Sequence, residues 1–202
     1  MAGRKQFDVD EALERSMRVF WERGYADTSL DLLGSATGLG RGSLYGTFGS
    51  KDTLFRKCLD RYGATYGERY ERALATHPGD PVRAVRAFFD VTLERIADAS
   101  VPDSCLLAQS TAQSATLDAE SQGRIRALLG AQRERVRAAL TPLPGVGGAE
   151  LDDLALYLVG VNQSLAVLSR AGTSPAELSA VARIACGTVA TRAAAVRATG
   201  SP

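Results

Sequence analysis

Apolar residues recur at helical spacing along almost the whole chain, and no segment shows the sustained alternation that is typical of a half-buried strand. Glycine, proline and capping residues interrupt this pattern at intervals, as at Asp8, Gly24, Gly38 and Ser50. The pattern predicts an all-α protein of about nine helices. We expect these helices at about residues 9–23, 30–37, 41–47, 51–75, 81–96, 103–115, 118–140, 150–170 and 175–197.

The segment from Thr28 to Phe55 contains two short predicted helices joined by a three-residue turn, Gly38-Leu39-Gly40. Such a pair, preceded by a supporting helix, forms a helix-turn-helix, a motif that lays its second helix in the major groove of DNA. The same spacing also occurs in helical corners that bind nothing. Apolar residues on the two short helices and in the turn have the spacing to close a small core: Leu30, Leu33, Ala36, Leu39, Leu44 and Phe48. The residues left near the outward face are Arg41, Ser43, Tyr45 and Thr47.

Charge changes this picture only locally. The chain carries 24 Lys and Arg against 23 Asp and Glu, a net charge of +1. Between residues 36 and 57, however, four cations (Arg41, Lys51, Arg56 and Lys57) face one anion, Asp52, which gives a local charge of +3. A basic tip of this kind is suited to a nucleic-acid surface.

Hydropathy argues against a membrane protein. The longest stretch without a charge, residues 154–169, contains 16 residues and falls short of the roughly 20 apolar residues that span a bilayer. Acidic residues precede the first apolar run, so a secretory signal is not expected. The expected location is the cytoplasm.

The inventory of reactive side chains is small. The single histidine, His77, lies in a turn-like run with Pro78 and Gly79, where we expect a solvated side chain. The three cysteines, Cys58, Cys105 and Cys186, are too widely spaced for a zinc knuckle or a disulfide framework. We therefore expect no enzyme activity, no metal and no cofactor.

Several short motifs resemble the DNA-binding domain of the TetR/AcrR family of bacterial transcriptional regulators. The matching segments are Phe20 to Tyr25, Thr28 to Leu30, Gly38 to Tyr45 and Phe48 to Phe55. Weaker similarity to one branch of the family lies at residues 104–107 and 165–172. The resemblance implies a helix-turn-helix domain at residues 1–55 and a helical ligand-binding and dimerisation domain at 56–202.

The resemblance also implies roles for particular residues. Arg41, at the start of the recognition helix, and Ser43 are the candidates for base contacts, because an arginine fork reads the O6 and N7 atoms of guanine. We expect phosphate contacts from Thr28, Tyr45, Thr47 and Lys51, and further contacts from the arm residues Arg4 and Lys5. The predicted DNA-binding set is Thr28, Arg41, Gly42, Ser43, Tyr45, Thr47 and Lys51.

Glycine distinguishes the recognition helix from the usual family pattern. Gly42 and Gly46 stand where a helix-starting proline and a larger side chain are common, and each interior glycine weakens a helix by about 1 kcal/mol relative to alanine. We predict a recognition helix that frays in the absence of DNA, with specificity that depends on Arg41 and on DNA shape.

The second part of the chain is expected to bind a ligand and a second copy. In similar proteins the last two helices form a four-helix dimer interface, which brings two recognition helices to successive major grooves of a near-palindromic operator. Two apolar stripes are candidates for this interface or for the intrachain core: Leu154, Leu158, Val161, Leu165 and Leu168 on one helix, and Leu178, Val181, Ala185 and Val189 on the next.

Polar or aromatic residues that interrupt apolar faces are the candidates for an effector pocket, and few charges lie among them, so a small, mostly apolar effector is expected. The predicted pocket residues are Phe88, Phe89, Thr92, Cys105, Gln109, Gln113, Tyr157, Asn162 and Gln163.

Two other functions are alternatives to that of a repressor released by a small molecule. Cys105, placed in the first turn of a helix opened by Asp103, is a candidate thiol sensor for oxidants or electrophiles, since a helix N-terminus favours a thiolate. A helical ligand-binding or interaction protein without DNA binding is the alternative of another class.

Overall fold

The computed structural model describes residues 7–199, with side chains up to residue 194. These residues form nine α-helices and one short 3₁₀ turn, Ser114–Thr116, and contain no strand, so the predicted all-α class is confirmed. The helices are α1 Val9–Arg23, α2 Leu30–Thr37, α3 Arg41–Phe48, α4 Lys51–Ala75, α5 Pro81–Ala97, α6 Leu106–Ala112, α7 Ala119–Leu140, α8 Gly148–Arg170 and α9 Pro175–Thr199.

Side-chain caps start most of these helices where the sequence predicts them. The Asp8 carboxylate accepts hydrogen bonds from the backbone N–H groups of Asp10 and Glu11, and the Ser50 hydroxyl accepts one from Thr53. Such caps satisfy N–H groups that have no partner inside the helix. At the other end of α2, Gly38 adopts a left-handed conformation with φ of 73°, which glycine accepts without steric cost.

Two helix starts differ from the prediction. Helix α6 begins at Leu106 and not near Asp103, because both polar groups of Ser104 make tertiary bonds: its carbonyl accepts from Trp21 Nε1 at 2.7 Å and its hydroxyl donates to the Trp21 carbonyl at 3.2 Å. Cys105 is therefore the N-cap residue of α6 and does not lie in its first turn. Helix α8 begins at Gly148, two residues earlier than expected.

The N-terminal helices and the start of α4 form a unit that we call the head. Leu33, Leu44 and Phe48 are buried in its centre, as the motif predicts. Phe20 packs edge-on against Phe55 with ring centroids 5.0 Å apart. Aromatic pairs of this geometry add to the stability gained by burial, so this contact holds α1 on the start of α4.

Helices α5 to α9 pack around the remainder of α4 and form the body. The two predicted apolar stripes lie mainly in this core: Leu158, Leu165, Leu178, Ala185 and Val189 are all buried within the chain. The apolar residues that α8 and α9 expose are different ones, Leu156, Tyr157 and Val167 on α8 and Ile184 on α9. The stripes as predicted therefore serve the intrachain core.

Helix α8 is long and apolar enough to cross a membrane by length and composition alone. It is the one such helix in the described part of the chain, and core helices of globular domains meet the same criterion. It packs against α5, α7 and α9, with Leu151, Ala155, Leu158, Val159 and Leu165 buried among them. This packing accounts for its apolar composition.

Head and body are joined through the C-terminal part of α1. Besides the Trp21–Ser104 bonds, the Arg170 guanidinium donates to the Glu22 carbonyl at 3.1 Å, and the Gln113 amide oxygen accepts from the Ala26 N–H at 3.2 Å. Gln113 also lies against Gly24 so closely that a Cβ atom there would approach its amide oxygen to 2.5 Å. These bonds tie the C-terminal ends of α6 and α8 to the head.

Candidate nucleic-acid interface and effector cavities

Helix α3 lies on the surface of the head with one side buried and one side open. Leu44 and Phe48 point into the core. Arg41, Gly42, Ser43, Tyr45 and Gly46 are exposed and Thr47 is half-buried. All but one of the predicted DNA-binding residues thus lie on or beside the outward face of the head.

The Arg41 side chain is ordered by a carboxylate from the preceding helix. Its Nε and Nη2 atoms donate to Asp31 Oδ1 at 3.0 and 2.8 Å, and Nη2 also lies 2.8 Å from Oδ2. Both side chains remain largely exposed, 65% for Arg41 and 73% for Asp31. An ion pair this exposed contributes little to stability, so it orients the guanidinium without sequestering it.

Lys51 is positioned by an aromatic ring at the start of α4. Its Nζ atom lies 4.1 Å from the centroid of Tyr25, whose hydroxyl donates to the Asp52 carboxylate. Burial and this acceptor raise the pKa of Tyr25 above its ordinary value, while partial burial lowers the pKa of Lys51. The half-buried ammonium is thereby fixed beside the N-terminus of α4.

The basic tip is less strongly charged than the sequence predicts. Arg56 pairs with Asp118 at 2.7 Å and with Glu120 at 2.9 Å, both from the body. Arg41 pairs with Asp31, which lies outside the segment counted in the sequence. The local charge of +3 is therefore largely offset in the fold, and the remaining cations of this segment are Lys51 and Lys57.

Thr28 does not fit the predicted role. Its side chain is buried, with 1% of its surface exposed, and its hydroxyl donates to the Gly24 carbonyl at 2.6 Å. The exposed capping residue of α2 is Ser29, which accepts from the Leu32 N–H. Thr28 is therefore structural and Ser29 takes the surface position. Arg4 and Lys5 lie outside the described residues.

One cavity lies between head and body and brings three predicted pocket residues together. It measures about 500 Å³, and Cys105, Gln109 and Gln113 line it. Its wall also includes Arg23 and Arg170 at the junction with the head. The apolar part of the wall consists of Ala108, Ala112, Ala166, Val167 and Ala171.

A second, smaller cavity of about 70 Å³ shares Cys105 with the first and adds the predicted residue Gln163. The Tyr62 hydroxyl donates to the Cys105 sulfur at 3.4 Å, and that sulfur lies 3.4 Å from Gln163 Oε1. Cys105 thus stands between two cavities and is held by two polar partners.

The remaining pocket candidates lie elsewhere. Thr92 and Asn162 are buried in a hydrogen-bonded triangle with Tyr70, and Phe88 packs against Tyr70 in the core. Phe89 is buried in the wall of a third cavity, of about 340 Å³, between α5 and α9. Tyr157 is 42% exposed on the outer surface of α8. Phe88, Thr92, Asn162 and Tyr157 therefore do not line the two cavities at Cys105.

Arg95 is a buried cation that sequence reasoning missed. Its side chain is 2% exposed, lies over the rings of Trp21 and Tyr66, and donates to the Ser104 carbonyl. Its Nε atom has no hydrogen-bond partner in the described structure. Arg95 follows Glu94 in the last turn of α5, where an arginine is typically a solvated side chain that interacts with the helix dipole, so the sequence carries no signal of its burial. Over the same residues, no group of His, Cys, Asp and Glu is arranged to hold a metal ion.

Known proteins share this architecture. A protein-family model described as "Bacterial regulatory proteins, tetR family" matches residues 12–58. The transcriptional repressor ComR of Escherichia coli strain K12 is 26% identical over 182 residues, 88% of this chain and 87% of ComR. A solved structure of the TetR family transcriptional regulator CifR, a cysteine mutant in complex with 26-bp double-strand operator DNA, is similar to this chain with a TM-score of 0.77 and 30% sequence identity. The match covers 90% of this chain and 97% of the CifR chain.

A TetR regulator from Chloroflexus aurantiacus has the same fold, with a TM-score of 0.79 over 90% of this chain and 93% of that one at 23% identity. An N-terminal helix-turn-helix on a larger helical body defines a class of one-component regulators. This chain belongs to the TetR family of bacterial transcriptional regulators.

Proposed function

We propose that the protein is a homodimeric repressor that binds a near-palindromic operator through α3 and is released by a small, mostly apolar effector. The observation that carries this proposal is the exposed outer face of α3, with Arg41 ordered at its N-terminus. Arg41 and Ser43 reach base edges, with the backbone at Gly42 close to the groove floor. Tyr45, Thr47 and Lys51 hold phosphates, helped by the N–H groups at the start of α2 and α4.

The relatives support this proposal. CifR has been solved with double-strand operator DNA, and ComR is named a transcriptional repressor. We place the division between the DNA-binding and effector-binding domains at residues 55 and 56, inside the continuous helix α4. The proposed location is the cytoplasm, where the DNA is.

We assign the dimer interface to the exposed sides of α8 and α9. Leu156, Tyr157 and Val167 of α8 are 55%, 42% and 59% exposed, and Ile184 of α9 is 63% exposed. Large apolar side chains on the outer side of two neighbouring helices are typical of a covered interface. A second copy on this face forms the four-helix arrangement that holds two α3 helices one groove repeat apart, about 34 to 36 Å.

The cavity between head and body is the proposed effector site. Its volume falls in the range of small-molecule pockets, about 300 to 1,000 Å³. Its wall contains Gln113 and Arg170, the same side chains that bond the body to the head at Ala26 and Glu22. An effector that prefers the arrangement with these bonds broken shifts the head and lowers DNA affinity.

Anisotropy titrations with the DNA upstream of the coding sequence, at several salt concentrations, test the proposal. We expect a site-selective complex whose affinity falls steeply with salt. Arg41→Ala lowers the selectivity, while alanine at Arg83, an exposed arginine at the start of α5 in the body, leaves it unchanged. Equal, weak binding to the upstream fragment and to shuffled DNA contradicts the proposal and favours a helical ligand-binding protein without DNA binding.

A second candidate function, thiol-based sensing at Cys105, is favoured by the surroundings of this sulfur. It has a donor in Tyr62, lies in the walls of two cavities and shares its environment with the buried cation Arg95. In conjugate addition to an α,β-unsaturated carbonyl compound, the sulfur bonds to the β-carbon, the carbon–carbon π bond breaks, and the thiol proton is transferred through water to the α-carbon.

Mass spectrometry and DNA release under an alkylating electrophile test this candidate. We expect one adduct at Cys105 and release from the wild type only. Release of Cys105→Ser under the same conditions contradicts a thiol mechanism. The matched control is Cys186→Ser, whose sulfur lies in the wall of the third cavity.

A further inference from the structure

The contact between Asp31 and Arg41 divides the donors of the guanidinium into two groups. Nε and Nη2 face the carboxylate, at 2.8 to 3.0 Å. Nη1 is not engaged by Asp31. Since a guanidinium is planar and carries five N–H donors in a fixed fork, this pairing leaves the two N–H groups of Nη1 free to donate. The O6 and N7 atoms of guanine are acceptors for such donors in the major groove.

Little else in the described structure holds Arg41 in place. Its neighbours Gly40 and Gly42 have no side chains that could pack against it. The N-cap of α3 is Gly40, which provides no side-chain cap. A cation at a helix N-terminus is also disfavoured by the helix dipole. Without Asp31 the side chain would therefore sample many rotamers.

Asp31 itself lies where a carboxylate is stable. It is in the first turn of α2, whose N-terminal dipole favours negative charge. The two short helices are thus linked across the turn of the motif by an ion pair between the Asp31 carboxylate and the Arg41 guanidinium. Because the pair stays exposed, the carboxylate remains hydrated and the contact does not block access to the guanidinium.

We propose that Asp31 is a positioning residue for base recognition, which pre-orders Arg41 so that its free Nη1 group meets a guanine in the operator. This inference rests on the proposed DNA-binding function. Pre-ordering removes an entropic cost at binding, about 0.5 to 1.5 kcal/mol for a long side chain, which corresponds to about 2- to 12-fold in affinity for the correct base. A carboxylate that merely competed with DNA would have the opposite effect on selectivity.

Selection from a duplex library with a randomised core, using the full-length protein, tests the proposal. Sequencing of the bound fraction gives the base preference at each position for the wild type, Arg41→Ala, Asp31→Ala and Asp31→Glu. We expect Arg41→Ala to erase the preference for one guanine in each half-site. Asp31→Ala lowers the same preference by about 2- to 12-fold, and Asp31→Glu, which keeps the carboxylate, restores part of it.

Asp27→Ala is the matched control for charge. Asp27 is exposed, lies four residues before Asp31 and is not part of the ion pair. Both alanine variants remove one negative charge, so both raise binding to DNA of any sequence. Only Asp31→Ala lowers the guanine preference. Melting temperatures within a few degrees of the wild type show that the head remains folded.

The outcomes separate this inference from the proposed function. Selection of no sequence by the wild type contradicts DNA recognition itself. A wild-type preference that Asp31→Ala leaves unchanged or sharpens, while Arg41→Ala erases it, contradicts the positioning role and identifies Asp31 as a competitor for Arg41.

Discussion

The head and the body differ in how well the spacing of apolar residues predicts which side chains are buried. In the head, short helices pack around one small core, and the buried residues Leu33, Leu44 and Phe48 are those that the pattern predicts. In the body, the stripes of α8 and α9 that were candidates for the interface or the core contain buried and half-buried residues, and the exposed apolar residues of these helices are other ones. The difference shows that helical spacing identifies an apolar face only where a helix has a single one.

The physical reason lies in the composition of α8. It is apolar on two sides, so Leu158 is buried while Leu156, two residues earlier, is 55% exposed. Two residues correspond to a rotation of about 200° around a helix. A stripe chosen by spacing alone cannot show which of the two sides meets the body.

Substitution of these two leucines gives the largest expected effect. Leu158→Ala removes a fully buried side chain and lowers the free energy of unfolding by about 2 to 5 kcal/mol. Leu156→Ala changes the stability of the monomer by no more than about 0.5 kcal/mol but weakens the dimer. Denaturant unfolding and sedimentation measure the two effects; a dimer unaffected by Leu156→Ala speaks against the proposed interface.

Disruption of the buried hydrogen-bonded triangle of Tyr70, Thr92 and Asn162 has the next largest expected effect on the free energy of unfolding. The Thr92 hydroxyl donates to Asn162 Oδ1 at 2.7 Å, and the Asn162 amide donates to Tyr70 at 3.3 Å. Asn162→Ala leaves the Thr92–Tyr70 bond in place but removes the acceptor of one buried hydroxyl, which costs about 1 to 3 kcal/mol. Ser164→Ala on the same helix, whose hydroxyl only bonds the Val161 carbonyl, is the control in the same denaturation series and should be nearly neutral.

Alkaline pH weakens the fold through two buried acids of α4. Burial raises the pKa of Cys58 well above its ordinary value of 9.0 and that of Tyr62 well above 10.0, so the folded state keeps protons that the unfolded state loses. The free energy of unfolding therefore falls by about 1.4 kcal/mol per pH unit above about pH 9 through Cys58, and by the same further amount above about pH 10 through Tyr62. Unfolding curves from pH 7 to 11 test this, and Cys58→Ala delays the onset; flat stability to pH 11 contradicts it.

The smallest effect concerns α3 itself. A Cβ atom at Gly46 would contact nothing, so Gly46→Ala stabilises the helix by up to about 1 kcal/mol. Amide exchange from Arg41 to Thr47, which we expect to be fast in the absence of DNA, becomes slower. Gly38→Ala is the control of opposite sign, because Gly38 has a φ of 73° and alanine is strained there. Full protection of wild-type α3 refutes the predicted fraying.

The sequence predicts helices and motif residues better than side-chain partners. Helix positions follow from caps and glycines within a few residues, and Arg41 follows from its place in the motif. The Asp31–Arg41 pair and the head–body bond from Trp21 to Ser104 depend on how helices pack, over separations of 10 and 83 residues. Cys105 was assigned to the first turn of a helix because the tertiary bonds of Ser104 leave no local signal.

The most direct test of α3 as the reading element is a double-mutant cycle between Arg41→Ala and a 7-deazaguanine substitution at the guanine that the wild type selects. Removal of N7 deletes one acceptor of the arginine fork. We expect each change alone to weaken binding, and we expect 7-deazaguanine to cost almost nothing further once Arg41 has been replaced by alanine. Fully additive losses would contradict a contact between Arg41 and that base.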